Sequence, residues 1–181
     1  MSENAIIVVE LSLSAAEAPE RIAAAKKLLL DEGIVVPNER RDALWQPSEY
    51  RAGPRAIEVA PALAHEHIRK LANNGVDFVC ERQVHHGIEN YEPPQCPACH
   101  VASDPDAHSA LVEPWLEGGE PSFVCQACGA ANLVGDWVGK FTFQVGEAAV
   151  RFNNWSDVDT AFLAKLGASL GPRARIVYEH S

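Results

Sequence analysis

Four cysteines in this chain have the spacing of metal ligands. They form two Cys-x-x-Cys pairs, Cys96/Cys99 and Cys125/Cys128, with 25 residues between the pairs. Zn²⁺ takes four tetrahedral ligands and favours thiolate sulfur, and a Cys-x-x-Cys turn places two sulfurs on one side of a tight loop. The backbone N–H groups of such a turn are free to hydrogen-bond the sulfurs. The spacing therefore predicts one zinc ion held by all four cysteines.

The segment that carries these cysteines, residues 90–137, resembles the zinc-ribbon module, a likeness that covers about a quarter of the chain. Its two turns read Cys96-Pro97-Ala98-Cys99-His100 and Cys125-Gln126-Ala127-Cys128-Gly129. Gly129 is the expected residue after such a turn, because the backbone there often needs a positive φ. His100 occupies the same place in the first turn and departs from that pattern.

Other chemistries of a Cys-x-x-Cys pair fit the sequence less well. Residues 96–100 match the attachment signature of a c-type haem, but that attachment follows export, and residues 1–4 lack the features of a signal peptide. A thioredoxin-like pair starts a helix, whereas Pro93 and Pro94 come shortly before Cys96 and no helical periodicity follows. Disulfides are disfavoured without export. Iron bound in the same geometry stays open as an alternative.

The four-cysteine set also indicates what the metal does. A catalytic zinc usually has three protein ligands and an open position for water, whereas four cysteines close the coordination shell. His100 could replace one sulfur, but because it directly follows Cys99 we expect it to lie beside the site or to face solvent. The sequence therefore predicts a structural zinc and identifies no catalytic residue.

Length and composition are those of a folded globular protein. The chain of 181 residues can hold one core of ordinary size plus a small subdomain. An apolar fraction of 47% argues against disorder. No apolar run approaches the ~20 residues that span a bilayer. With no signal peptide and with thiols in metal-ligand spacing, we expect a cytoplasmic protein that does not bind membranes.

The charge of the chain, −10 in all, is distributed unevenly. Residues 83–139 contain no Lys or Arg but eight carboxylates: Glu89, Glu92, Asp104, Asp106, Glu113, Glu117, Glu120 and Asp136. Basic residues cluster early in the chain: Arg21, Lys26, Lys27, Arg40, Arg41, Arg51 and Arg55. A ribbon that grips nucleic acid needs cations to neutralise phosphates. Nucleic-acid binding by this ribbon is therefore not expected.

Hydrophobic periodicity and turn residues predict the elements that position the cysteines. We expect strands at 5–13, 34–36, 55–60, 76–84 and 175–178, a hairpin over 140–152, and a loop over 37–54. Helices are expected at 19–32, at 61–73, and after a cap formed by Ser156 and Asp159. The first and third helices carry apolar stripes: Ile22, Ala25 and Leu29, and Phe162, Leu163, Leu166 and Leu170.

This order of elements predicts an α+β fold. We expect a two-layer sandwich of a mixed β-sheet and about three helices, with the zinc ribbon inserted into it. The corresponding units are residues 1–88 and 138–181, which form the α+β core, and residues 89–137, which form the ribbon.

Other residues with reactive or aromatic side chains carry weaker signals. His85 and His86 end a predicted strand, so they point to opposite sides and do not form one site. Cys80 is expected to be an inert core thiol. Three tryptophans are expected in hydrophobic cores rather than on a stacking platform: Trp115, Trp137 and Trp155.

Together these observations favour a zinc-binding, non-enzymatic interaction module, an adaptor or inhibitor, whose acidic ribbon meets a partner protein with a basic surface. One alternative is an enzyme with a concealed site, for example across the sheet and loop 37–54. Another is a nucleic-acid-associated factor that uses its basic N-terminal half. No Gly-rich phosphate loop, nucleophile elbow or paired-carboxylate motif supports the enzyme.

Removing the metal should loosen residues 90–137 and leave the α+β core folded, because a small segment with few apolar residues needs its metal to fold. Amide hydrogen exchange with and without a chelator measures this effect. Loss of protection confined to residues 90–137 is the expected result. A chelator that melts the whole chain in one step would contradict the division into two parts.

Overall fold

The apolar run near the N-terminus forms β1 (Asn4–Glu10) in the computed structural model, which describes residues 4–39, 48–70 and 73–180. Consecutive residues of a strand face opposite sides of the sheet. Ile6 and Val8 lie in one hydrophobic core, and Ile7 and Val9 lie in a second core on the other side. The run is apolar without alternation because both faces of β1 are covered.

The other elements follow in chain order, beginning with those before the cysteines: α1 (Ala18–Asp31), β2 (Val35–Pro37), β3 (Tyr50–Ala52), α2 (His65–Lys70), β4 (Gly75–Val79) and β5 (Gln83–His86). The remainder are α3 (Pro105–Ser109), α4 (Val112–Glu117), β6 (Ser122–Val124), β7 (Ala131–Leu133), β8 (Phe143–Gly146), β9 (Ala148–Asn153), α5 (Thr160–Leu170) and β10 (Ala174–His180). Short 3₁₀ turns lie at Ala56–Val59, Ala62–Ala64 and Val134–Asp136.

Six strands form the main sheet, in the order β10-β1-β9-β4-β3-β2. Strands β5 and β8 form a separate pair, as do β6 and β7. The α+β class is confirmed. The ladders between these strands are antiparallel, where the sequence predicted a mixed sheet. Whether two strands run parallel or antiparallel depends on which strands become neighbours. The neighbours of β1 are β9 and β10, which come from the far end of the chain.

Helices α1 and α5 cover one face of the main sheet. The apolar stripes predicted for them are buried: Ile22, Ala25 and Leu29 on α1, and Phe162, Leu163, Leu166 and Leu170 on α5. Helix α5 begins after Asp159, whose side chain accepts a hydrogen bond from the N–H of Ala161 at 3.0 Å. This sheet-and-helix unit is the two-layer sandwich that the sequence predicted.

A further layer covers the opposite face of the main sheet. It contains the β5–β8 pair and the segment that carries the four cysteines. Trp115, Phe123 and Trp137 from that segment pack in one core with Ile7 and Val9 of β1. Fully burying a large apolar side chain contributes roughly 1.5–3 kcal/mol. The ribbon therefore shares a core with the sheet, and residues 89–137 as a separate unit remain a prediction.

Arg82 ties together the places where the chain changes layers. It lies between β4 in the main sheet and β5 in the outer layer, and it pairs with Glu147, between β8 and β9, at 3.3 Å. Its guanidinium also donates to the carbonyls of Leu116, at 2.9 Å, and Trp115, at 2.5 Å, near the end of α4. The Arg82 side chain thus connects the β4–β5 link, the β8–β9 link and helix α4 of the ribbon.

Three predicted elements are wrong in detail. The strand predicted at 55–60 is a 3₁₀ turn in which Ala56 and Val59, three residues apart, face the core. The strand predicted at 76–84 is divided into β4 and β5, which belong to different sheets. The hairpin predicted over 140–152 is two strands that do not pair with each other, because β8 joins β5 while β9 joins β1 and β4.

The structure also contains elements that the sequence did not indicate. Strand β3 lies within the predicted loop 37–54, of which residues 40–47 lie outside the described residues. Helices α3 and α4 are too short to show an apolar period of their own. Cys80 is exposed rather than in the core, because β4 ends at Val79 just before it. Within the described ranges, no helix is long and apolar enough to cross a membrane.

Candidate metal centre

The two Cys-x-x-Cys turns fold into matching knuckles. In the first, the N–H of Cys96 donates to the carbonyl of Val101 at 2.9 Å, and the N–H of His100 donates to the carbonyl of Cys96 at 2.9 Å. The second repeats both bonds, from Cys125 to Ala130 at 2.9 Å and from Gly129 to Cys125 at 2.8 Å. Each knuckle is therefore a closed turn whose two sulfurs face the same side.

The four sulfurs that the sequence predicted as ligands come together. Their Sγ atoms all lie within 4.8 Å of one another, with Cys96–Cys128 at 3.9 Å and Cys99–Cys125 at 3.6 Å. Four sulfurs at ~2.3 Å from a tetrahedral ion would stand ~3.8 Å apart. The cluster has the size and the donor atoms for one metal ion, and thiolate ligands suit zinc or iron.

Burial divides the cluster into a core side and a solvent side. The first cysteine of each pair is buried, Cys96 at 0% and Cys125 at 3% exposure. Cys99 is half-buried and Cys128 is exposed. The cluster therefore lies at the boundary between the second core and solvent, where the core fixes two of its sulfurs.

Backbone hydrogen bonds, burial and the neighbouring sulfurs together shift the pKa values of two of the thiols in opposite directions. Hydrogen bonds from the N–H of Cys128 and then of Ala127 lower the pKa of Cys125 to about 7, against the effect of burial. A backbone hydrogen bond from Val101 lowers the pKa of Cys99, but burial and the other three sulfurs raise it to about 12. Four adjacent thiolates repel one another, and a cation among them would remove that repulsion.

Short strands and turns position the knuckles. The β6–β7 pair carries the second knuckle at its end. The first knuckle is held through Gln95, whose N–H donates to the carbonyl of Val138 at 2.8 Å and whose carbonyl accepts from the N–H of Val138 at 2.9 Å. Backbone hydrogen bonds thus join the first knuckle to the segment that follows β7, and the buried cysteines of both knuckles lie in the second core.

Both residues that follow the knuckles have a left-handed backbone. Gly129 has φ +74° and His100 has φ +59°. The departure of His100 from the ribbon pattern is thus in residue type and not in conformation. His100 is exposed, and its position next to Cys99 gives it no direct part in the cluster.

Ion pairs fasten the ribbon to the end of the sheet. Arg173 pairs with Glu120 and, at 2.7 Å, with Asp136, and Arg175 of β10 pairs with Asp136 at 2.9 Å. Hydrogen bonding to Glu120 and Asp136 raises the pKa of the Arg173 guanidinium against the effect of burial. Two of the eight carboxylates of the acidic segment are therefore neutralised within the molecule.

The other six carboxylates are exposed, and none of them forms an ion pair with a described residue: Glu89, Glu92, Asp104, Asp106, Glu113 and Glu117. Asp104 accepts a hydrogen bond from Ala107 at 2.8 Å and so caps α3. The acidic character of the ribbon that the sequence suggested thus comes from these six side chains.

Three of the five early basic residues that the structure describes form ion pairs, and Arg21 and Arg51 do not. Lys26 pairs with Glu49, Lys27 with Asp31 and Arg55 with Glu58. Arg40 and Arg41 lie outside the described residues. Much of the positive charge that would support the nucleic-acid alternative is therefore compensated.

A buried histidine cluster beneath the ribbon was missed by the sequence reasoning. His108 of α3 is 0% exposed and its Nδ1 lies 2.8 Å from the hydroxyl of Tyr91. His86 stacks on Tyr91 with ring centroids 5.1 Å apart. His85, on the opposite side of β5, is buried at 3% exposure, which confirms that the two neighbours face different ways. Aromatic residues spaced far apart in sequence gave no signal of this packing.

All three tryptophans singled out in the sequence lie in cores, as predicted. Trp115 and Trp137 belong to the second core beside the cysteines, and Trp155 belongs to the first core. Each is at most 3% exposed. They support the layers and offer no stacking surface.

Comparisons with protein-family models, with curated proteins and with solved structures find no match for this chain. The site must therefore be interpreted from its own geometry.

Glycine should be favoured after both knuckles, so adding it at position 100 and removing it at position 129 should have opposite effects on stability. The left-handed conformation costs an L-residue about 1 kcal/mol relative to glycine. We expect His100→Gly to raise the free energy of unfolding by up to ~1 kcal/mol. Gly129→Ala should lower it by ~1 kcal/mol through the backbone alone, because no atom lies within 4 Å of the added Cβ. Urea unfolding of the zinc-loaded protein measures the change in the free energy of unfolding for each variant. Changes of the same sign in His100→Gly and Gly129→Ala would contradict a cost of the left-handed backbone at these positions.

Stability should fall as the pH is lowered from about 6.5 to about 4. Burial lowers the pKa of His85 to about 4, aided by Arg151 and opposed by Glu179, and burial with His86 lowers the pKa of His108 to about 4. The unfolded chain binds protons at both histidines near pH 6.5, so protonation favours unfolding throughout this window. Each histidine would contribute roughly 3 kcal/mol, fully present above pH 6.5.

Urea unfolding between pH 6.5 and 5 measures this dependence. His108→Gln should flatten the slope relative to the wild type, whereas His67→Gln, at an exposed position, should leave it unchanged. Metal content measured at each pH separates any loss of metal in acid from the effect of the histidine. Identical slopes in the wild type and His108→Gln would show that the histidine does not control acid stability.

Proposed function

We propose that Cys96, Cys99, Cys125 and Cys128 bind one Zn²⁺ and that the ion is structural. The observation that supports this most strongly is the approach of all four Sγ atoms to within 4.8 Å. Sulfur ligands select zinc or iron over harder cations. Four protein ligands complete a tetrahedral shell and leave no position for a reacting water.

The short elements around the cysteines explain why a metal would be needed. Helices α3 and α4 have five and six residues, and β6 and β7 have three residues each. Isolated helices shorter than ~12 residues are marginal in water. Zinc binding to small folded peptides yields about 10–16 kcal/mol at pH 7, which is ample to order such a segment.

Metal analysis of protein prepared without chelator should find one zinc per chain. Cys125→Ser should lower the zinc content well below one, because a buried sulfur ligand is lost. Cys80→Ser is the matched control, since Cys80 is exposed and lies outside the cluster. Iron in place of zinc, or full occupancy in Cys125→Ser, would contradict the proposal.

We further propose that the protein is a non-enzymatic interaction module, an adaptor or inhibitor, that binds a protein partner with a basic surface through the ribbon. Six exposed carboxylates without ion pairs among the described residues support this. Four thiolates with one Zn²⁺ would add a further charge of about −2. A field of one sign speeds encounter with the opposite sign and disfavours other partners.

A recess on the ribbon surface is a candidate contact site for this partner. A cavity of about 300 Å³ lies beside the knuckles and is lined by Val101, Phe123, Val124 and Trp137, with Asp104 among its polar residues. Val101 and Val124 are 49% and 48% exposed. An apolar recess with a carboxylate beside it suits a basic side chain whose aliphatic stem packs on the valines.

Reversing two ribbon charges should abolish the association. Glu113 and Glu117 are exposed and lie one turn apart on α4, so Glu113→Lys/Glu117→Lys changes one surface. Glu120 is left unchanged because its carboxylate holds Arg173 and the N–H of Gly135. Proteins that co-purify from native extract should be lost in this variant, and binding to the wild type should weaken as salt rises.

A control variant with the same change of total charge, made outside the ribbon, tests whether the position of the carboxylates matters. Glu20→Lys/Glu39→Lys alters two exposed carboxylates in the N-terminal part of the chain, outside the ribbon. This control should retain the wild-type set of co-purifying proteins. If the ribbon variant also retains them while remaining folded, the carboxylates serve only to keep the ribbon soluble.

A further inference from the structure

A second concave site lies on the main sheet, outside the ribbon. It has a volume of about 530 Å³ and opens where β2 and β3 meet α2. Val36 of β2 and Arg51 of β3 are directly paired across the ladder, so their side chains emerge on one face. Arg69 of α2 completes the lining on another side. The volume is in the range of small-molecule sites.

The charge of this pocket is opposite to that of the protein. Among the residues that the structure describes, its lining includes Arg51 and Arg69 and no Asp or Glu. Neither arginine forms an ion pair with a carboxylate of the described residues. In a chain of net charge −10, a pocket with two uncompensated cations stands apart from the paired basic residues around it.

The rest of the lining combines apolar side chains with two asparagines, Asn38 and Asn74. Val36 and Ile57 are half-buried and contribute hydrophobic surface, while Ile68 is buried at 4% exposure. The side-chain amide of Asn74 donates to the carbonyl of Ile68. The amide of Asn38 donates to the carbonyl of Ser48 at 3.0 Å, at the other wall. The pocket walls are therefore fixed by buried hydrogen bonds before any ligand arrives.

We propose that this pocket binds a small organic oxyanion, with a carboxylate or phosphate group held by Arg51 and Arg69 and an apolar body packed on Val36 and Ile57. A guanidinium presents its N–H groups in a planar fork that matches both oxyanions. Apolar surface in the same recess adds affinity for the rest of the molecule. The proposal is independent of the zinc centre and of the partner of the ribbon.

The test is an NMR titration of the zinc-loaded, ¹⁵N-labelled protein with phenyl phosphate and, separately, with phenylacetate. Amide shifts should be confined to the residues that line the pocket. The Kd should rise at least tenfold in Arg51→Gln and in Arg69→Gln. The anion with the lower Kd identifies the ligand as a phosphate ester or as a carboxylate.

Controls separate the pocket from general attraction to basic residues. Arg21→Gln changes an exposed arginine on α1 outside this pocket and should leave the Kd unchanged. Benzyl alcohol, which lacks the charge, and inorganic phosphate, which lacks the apolar body, should each bind at least tenfold more weakly. Shifts scattered over the surface, or an unchanged Kd in both pocket variants, would overturn the proposal.

Discussion

The architecture depends on the burial of the central strands β1 and β9 from both sides. Ile6 and Val8 need a cover on one face of the sheet and Ile7 and Val9 need one on the other. Helices α1 and α5 supply the first cover. The second face is covered by the β5–β8 pair and by the segment that carries the cysteines, which includes the short helices α3 and α4. The segment that carries the cysteines therefore packs on the sheet through a shared hydrophobic core.

This arrangement explains the position of the metal centre. Elements as short as three to six residues cannot cover a sheet face by their own stability. They are fixed instead at their edges: by the knuckles and buried cysteines, by Arg173 and Arg175 on Glu120 and Asp136, and by Arg82 on α4. A metal in the four-sulfur cluster would join the two knuckles covalently at the boundary between core and solvent, where no further side chains can pack.

The same layers separate two kinds of surface. Six exposed carboxylates without ion pairs to described residues lie in the ribbon segment, whereas Arg51 and Arg69 line a pocket at the β2–β3 end of the sheet. The net charge of −10 does not reveal that the protein has both an acidic surface and a pocket lined by arginines. Pairing within the fold decides which charges remain available: Glu120 and Asp136 are used internally, as are Lys27 and Arg55. Only the charged side chains that are not held in such ion pairs are available to a partner or ligand.

The sequence by itself determined the features that depend on local spacing. The Cys-x-x-Cys turns, the apolar stripes of α1 and α5 and the continuous strand β1 follow from periods of two to four residues, and the four cysteines that cluster could be named from them. Only the tertiary structure decided what depends on distant neighbours. Whether residues 140–152 pair as a hairpin or enter two sheets, which carboxylates find an arginine, and that His85 and His108 are buried all follow from packing between segments far apart in the chain. Contacts of that kind leave no periodic trace, because the free energy that selects them is the burial of a face whose cover lies elsewhere in the sequence.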